Sequence, residues 1–287
     1  MLTRRDLLGG ACAATLAGAC RARDRSVVRV GFMTNLTHSP VMAGLATGRV
    51  ARAINARVEA LSFRAGPRVL EALIGDAIDV GIAGPAPIVY THARHGGGAL
   101  RILCGCASGG ASLVVGSASG IRGPDDLRGK VLATPQIGTT QDIALRKYLR
   151  AHGYESAERG GDVTVHALDA ATILLEVRRN ALHGAWLPEP WATRLVLDAG
   201  AARLVDERDL WPNRAFPTAL VVARGDFVRE RGPLTERLVV ALGEEVERAL
   251  HDVPETQRIA SAELARLLGK RLPPKLVEEA WRFVDFT

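Results

Sequence analysis

The feature that most constrains the fold is a repeated alternation of short apolar runs with amphipathic helical stretches, each pair joined by a small turn. Strand patterns over 27–32, 57–63, 78–83 and 100–107 are interleaved with helix patterns that open at Ser39-Pro40, Gly66-Pro67 and Pro85. A second series places strands over 131–134, 162–168 and 184–187, with helices over 140–149, 170–180 and 190–197. Strand–helix–strand units of this kind build parallel sheets with helical crossovers. Between the series, Ser112-Leu-Val-Val-Gly116 follows Gly109-Gly110 and reads as a strand crossing into a second lobe, and 218–223 reads as a strand crossing back. Several helices fill 226–284. The expectation is a bilobal α/β protein, two Rossmann-like lobes with mainly parallel sheets joined by two crossing strands. Residues 21–111 and 222–287 form lobe I and 112–221 form lobe II, with hinges over 108–110 and 216–220.

The turn inside 130–149 carries the most chemical information. Val131-Leu-Ala-Thr134 reads as a buried strand, and Thr139-Thr140 opens an amphipathic helix. The first N–H groups of a helix lack intrahelical partners, and with the positive end of the dipole they face whatever lies ahead of Gly138, Thr139 and Thr140. An ordinary connection with a threonine cap would present the same residues, so the turn alone leaves both readings open. The pattern recurs where Ile78-Asp-Val-Gly-Ile-Ala-Gly84 runs into Pro85-Ala-Pro-Ile-Val-Tyr90, and where Phe32-Met-Thr-Asn-Leu-Thr-His-Ser39 precedes the first helix. Turns that follow strands of both lobes converge on the cleft, which is the expected ligand site.

Thr3-Arg4-Arg5-Asp6-Leu7-Leu8 leads a small and apolar stretch over 7–19 that is too short to span a bilayer, so 1–20 reads as an export signal. The paired arginines resemble a twin-arginine signal, Ala17-Gly18-Ala19 fits a small-residue cleavage site, and Leu16-Ala-Gly-Ala-Cys20 approximates a lipobox. Lipidation at Cys20 would be the sole membrane attachment, on the periplasmic or outer face of the cytoplasmic membrane. A 47% hydrophobic content supplies a sizeable core. The net charge of +6 is scattered along the sequence and aromatics are 5%, which argues against nucleic acid as a partner. Cys104 and Cys106 lie at i, i+2 on one strand, with no second pair to complete a zinc set, so a buried apolar role is expected, with no metal and no cofactor.

Gly84-Pro-Ala-Pro87, Cys106-Ala-Ser-Gly-Gly110, Ala133-Thr-Pro-Gln-Ile-Gly-Thr-Thr-Gln-Asp142, Trp186-Leu-Pro-Glu-Pro-Trp191 and Val205-Asp-Glu-Arg-Asp-Leu-Trp-Pro212 together resemble the nitrate/sulfonate/taurine group of ABC-transporter substrate-binding proteins. The resemblance covers nearly the whole chain after residue 20. It implies the type II periplasmic-binding-protein fold, a monomer, capture of a small solute between the lobes, and delivery to a membrane permease driven by an ATPase. Combined with the local chemistry, it places Thr37, His38, Ser39, Gly84, Pro85, Ala86 and Ser108 on one side of the ligand and Gly138, Thr139 and Thr140 on the other. Hydroxyls and N–H groups suit a sulfonate or related oxyanion.

Asp142 could meet an amino group of the ligand or serve the dipole of its own helix, and Glu189 could do the former or belong to the Pro-Glu-Pro-Trp turn. Trp191 packs on the ligand or fills the lobe, and His38 is a ligand contact or a hydrogen-bonded loop residue. Gly123-Pro-Asp-Asp-Leu-Arg-Gly-Lys130 fails as a phosphate loop, and the chain holds no G-x-S-x-G or H-E-x-x-H motif. A non-enzyme is expected. The alternative is an enzyme of the same fold, resembling those of menaquinone- or thiamine-precursor biosynthesis.

Overall fold

Apolar runs short enough for strands and helices with one apolar face settle into two layered sheets. The computed structural model describes Asp24 and residues 26–287. The expected export signal and Cys20 lie outside the described residues. The elements are β1 (Val27–Met33), α1 (Ser39–Ala46), α2 (Arg49–Ile54), β2 (Arg57–Phe63), α3 (Gly66–Ile74), β3 (Val80–Ala83), α4 (Pro85–Arg94) and β4 (Leu100–Gly109). There follow β5 (Ala111–Val115), β6 (Val131–Thr134), α5 (Thr140–Ala151), β7 (Thr164–Ala167), α6 (Ala170–Arg178), β8 (Gly184–Pro188), α7 (Trp191–Ala199) and β9 (Ala202–Asp206). The chain ends with β10 (Pro217–Arg224), α8 (Gly225–Glu230), α9 (Gly232–His251), α10 (Val253–Leu268), α11 (Pro274–Trp281) and β11 (Val284–Asp285).

One sheet has the order β11-β4-β10-β3-β1-β2 and the other β7-β6-β8-β5-β9. We call them, with their helices, the first and second lobes. Each sheet is mixed, which corrects the expectation of mainly parallel sheets. The βα units pair in parallel, β1 with β2 and β3, and β6 with β7 and β8. In contrast, β10 runs antiparallel to β3 and β4, and β5 antiparallel to β8 and β9. A strand arriving from the other lobe enters its sheet from the cleft end without a helical crossover, so it runs against its neighbours.

The passage from β4 to β5 is a single residue, Gly110, and it is tightly held. Gly109 and Gly110 have φ of 65° and 72°, and a Cβ on Gly110 would lie 2.7 Å from Thr37 Cγ2. Gly110 N–H donates to the Phe283 carbonyl at 2.7 Å, and its own carbonyl accepts from Glu189 N–H at 2.8 Å. Beside it, Ser108 Oγ donates to the Phe216 carbonyl and accepts from Phe216 N–H, each at 2.9 Å, and Thr218 Oγ1 donates to the Gly109 carbonyl. The two crossings are thus stapled to each other by side-chain hydroxyls.

Each lobe has its own apolar core. Phe32, Met42, Val221, Leu238 and Trp281 belong to the first, and Leu113, Leu132, Leu145, Tyr148 and Trp186 to the second. Three elements escape the sequence reading. Helix α2 spans 6 residues between the left-handed Gly48 and Asn55, β9 is an edge strand with only partial burial along Leu204 and Val205, and β11 has 2 residues held by pairing with β4. None is long or apolar enough to show a period of its own.

Candidate functional site

Six strand-to-helix turns, three from each lobe, end at one cavity of about 530 Å³. Helices α1, α3 and α4 follow β1, β2 and β3, and α5, α6 and α7 follow β6, β7 and β8. The lining includes residues at every one of these helix starts: His38, Gly66, Gly84, Thr139, Asp169 and Trp191. The start of each helix brings roughly half a positive charge to the cavity, offset at α6 by Asp169, whose carboxylate lines the cavity and accepts from Ala171 and Thr172 N–H. Arg64 adds a full charge at the wall, with no carboxylate partner among the described residues.

On the first-lobe side, Thr37, His38 and Gly84 line the cavity. Cys106 Sγ donates to the Thr37 carbonyl at 3.4 Å and supports that loop from beneath. Burial pushes the Cys104 and Cys106 thiols up to about 11 and about 12. His38 Nδ1 accepts from Met33 N–H at 3.1 Å, and burial pushes its imidazole down to about 3. The ring is therefore neutral, with its Nδ1 committed. On the second-lobe side, Thr139, Thr140 and Trp191 line the cavity. Thr139 Oγ1 is spent on its turn, donating to the Gln136 carbonyl at 2.8 Å and accepting from Asp142 N–H at 3.3 Å. Thr140 Oγ1 is buried and makes no hydrogen bond, and it sits where a Cβ on Gly84 would fall. The two lobes meet at this point.

The remaining expected site residues lie elsewhere. Ser39 is buried at the start of α1 with its Oγ unpartnered, but it does not line the cavity, and neither does Pro85. Ala86, Gly138 and Asp142 line a separate groove of about 880 Å³ on the outer side of the Gly84–Thr140 contact. Asp142 accepts from Gly138 N–H at 3.0 Å, Thr134 Oγ1 at 3.2 Å and Arg146 Nε at 3.0 Å, so its charge is enclosed by its own lobe. Ser108 belongs to the staple between the crossings. Glu189 is 0% exposed and pairs with Arg203 at 2.7 Å. Burial pushes its carboxyl up, while Arg203 and the Thr193 N–H pull it back.

Sequence reasoning missed Arg64, Gln136, Gln141, Asp169 and Thr218, which also line the cavity. The signal was present. Arg64 and Asp169 stand in strand-to-helix turns of the same kind as the three singled out, the first ahead of Gly66-Pro67 and the second capping α6 through bonds from Ala171 and Thr172 N–H.

The family model described as the NMT1-like family matches residues 21–265. The chain belongs to the NMT1-like family. No curated protein sequence matches it. Among solved structures, the alkanesulfonate-binding protein SsuA from Xanthomonas axonopodis pv. citri bound to MOPS aligns with TM-score 0.75 and 22% identity, over 91% of this chain and 86% of that one. The periplasmic aliphatic sulphonate-binding protein SsuA from Escherichia coli gives 0.74 and 20%, over 91% and 84%. The periplasmic nitrate-binding protein NrtA from Synechocystis PCC 6803 gives 0.70 and 20%, over 82% and 66%. This NMT1-like chain therefore has the type II periplasmic-binding-protein fold that the sequence resemblance implied.

The buried imidazole predicts a pH dependence. A base whose folded pKa lies below its unfolded value gives stability that is present above the unfolded value, near 6.5, and is lost as pH falls toward the folded one. Glu207, pushed up to about 7 by burial, acts oppositely, so the two nearly cancel in the unmodified chain. Replacing His38 with asparagine keeps an acceptor for Met33 N–H and removes one side of the balance. The stability difference between the two proteins should then shrink by about 2 kcal/mol from about pH 7 to about pH 5, measured by denaturant unfolding. A constant difference across that range would show that His38 is not buried neutral.

Proposed function

We propose that this protein is the extracytoplasmic solute-binding component of an ABC importer, which captures a small oxyanion between its lobes and presents it to a permease and its ATPase. The observation that carries the reading is the convergence of six helix N-termini, with Arg64, on one interlobe cavity. Such a site binds negative charge with backbone donors and supplies no proton chemistry. The cavity's titratable groups support binding over turnover, since His38 is held neutral as an acceptor and Asp169 caps α6. Alkanesulfonate and nitrate, for which the aligned SsuA and NrtA proteins are named, are oxyanions. A cavity of about 530 Å³ has more room than nitrate fills, which favours a sulfonate or taurine-like organic anion. Export through the 1–20 signal, lipidation at Cys20, a monomeric state and ligand contacts from Thr37, Gly84, Thr140 and Trp191 belong to the same reading. No helix among the described residues is long and apolar enough to cross a membrane.

A thermal-shift screen with sulfonates, taurine, nitrate and carboxylates tests this, because a ligand that binds only the native state raises Tm with its concentration over Kd. Thr140→Val should weaken the best ligand roughly tenfold or more by removing a charge-assisted donor, with little change in Tm of the free protein. Thr139→Val should instead cost about 1 kcal/mol of stability through its lost cap. A chain that converts a candidate solute to product, while no solute moves its Tm, is an enzyme and not a receptor.

A further inference from the structure

Away from the cleft, the first lobe carries a groove of about 780 Å³ between the end of α2, the start of β2 and the start of α9. Arg52, Arg57, Arg231 and Arg237 line it, and none of its lining residues is acidic. The sequence scatters these arginines from 52 to 237, and the fold gathers them. Their partners orient more than they neutralise. Arg52 Nη1 donates to the Thr47 carbonyl at 3.2 Å, Arg237 Nε donates to the Ile54 carbonyl at 3.3 Å, and Arg231 lies 5.3 Å from the Phe227 ring centroid. Arg57 alone has nearby carboxylates in these pairings, Glu59 at 3.5 Å and Asp24 at 3.9 Å.

The N-terminal segment reaches the fold at the same place. Ser26 lines the groove, and Asp24 stands beside Arg57. Cys20 precedes Asp24 by four residues, which span at most about 14 Å of extended chain. In the sequence, that approach adds Arg21, Arg23 and Arg25. We infer that this groove forms an electrostatic membrane-docking face, which seats the first lobe on an anionic phospholipid surface through guanidinium–phosphate contacts. Clustered basic side chains are drawn to an anionic lipid surface by charge alone. Arginine suits the task because its planar fork pairs with phosphate oxygens. The face rests on the export reading but not on lipidation, since charge alone attracts it to anionic lipid.

The test uses the full chain prepared without lipid, co-sedimented with vesicles of phosphatidylcholine alone and of phosphatidylcholine with phosphatidylglycerol. Taking the ratio of the two bindings removes any contribution of the apolar residues before Cys20. Binding to the anionic vesicles should exceed the neutral level by about tenfold or more and should weaken with salt. The quadruple variant Arg52→Gln/Arg57→Gln/Arg231→Gln/Arg237→Gln should lose about tenfold of that preference, and the same four positions changed to Lys should keep most of it. Thermal shifts with the cleft ligand should be unchanged in both variants, which verifies folding and separates failure here from failure of the solute-binding reading. The inference is overturned if the Gln variant keeps the preference, or if the Lys variant loses it equally. It is also overturned if inorganic phosphate displaces the unmodified chain from anionic vesicles when chloride of equal ionic strength does not, which would mark a small-anion pocket instead.

Discussion

Replacing Glu189 with alanine is expected to lower stability by about 3–5 kcal/mol, the usual consequence of leaving one member of a buried ion pair without the other. Glu189 Oε1 holds Arg203 Nη2 at 2.7 Å, and its second carboxylate oxygen accepts from Thr193 N–H at 3.1 Å. Arg203 also reaches Thr193 Oγ1 at 2.9 Å and Ser112 Oγ, and its guanidinium lies 3.5 Å from the centroid of Phe283, which precedes β11 of the first lobe. Without the carboxylate, a cation remains enclosed among neutral groups. Glu189→Gln should fall between, since it preserves shape and the Thr193 bond but not the charge. The double change Glu189→Leu/Arg203→Met should cost less than Glu189→Ala, because the buried pair owes much of its value to each partner compensating the other. Guanidinium unfolding of the three variants measures this. A Glu189→Ala protein within about 1 kcal/mol of the unmodified chain would mean the pair is not structural.

Gly84→Ala should reduce solute affinity by about tenfold or more while leaving the free protein as stable as before, or slightly more so. At φ −72° and ψ 159° the Gly84 backbone suits alanine, so folding of the first lobe gains no strain. The new methyl would instead collide with Thr140 Oγ1 and lie 3.1 Å from Thr140 Cβ, across the meeting of the lobes. Interiors this close cannot absorb an added methyl without a shift. The lobes would stop short of full contact, and donors from the two sides could no longer reach one anion together. Calorimetric titration gives the affinity, and small-angle scattering with saturating solute should find the variant less contracted than the unmodified chain. Unchanged affinity in Gly84→Ala would detach closure at this contact from binding.

Much of the fold is legible because local signals agree with tertiary needs. The Pro67 and Pro85 helix starts and the Thr139 cap mark their helices near the observed boundaries. Strand direction was less legible. The apolar pattern of Ala111–Val115 and Pro217–Arg224 is the same whether they run with or against their neighbours, and only the crossing between lobes decides. At the site, Thr37, His38, Gly84, Thr139, Thr140 and Trp191, all expected from residue type, line the cavity. Residue type could not separate them from Asp142 and Glu189, whose neighbours Arg146 and Arg203 enclose them inside the second lobe. For Asp142 the partner is four residues along one helix, but for Glu189 it lies across a helix on a separate strand, where no local pattern reaches.

The orphaned hydroxyl of Thr140 has a consequence for signalling. A buried polar group without a partner costs about 1–3 kcal/mol, so, on the solute-binding reading, an empty protein with its lobes in contact at Gly84 and Thr140 would bear a penalty that water would remove if the lobes parted and an anion would remove if they shut on it. At thermal energies that penalty would bias the empty population toward the open form by roughly fivefold to more than a hundredfold. A membrane partner that recognises the shut shape would then be engaged mostly by loaded molecules, and one unpaired oxygen would serve as the check that the cargo is aboard.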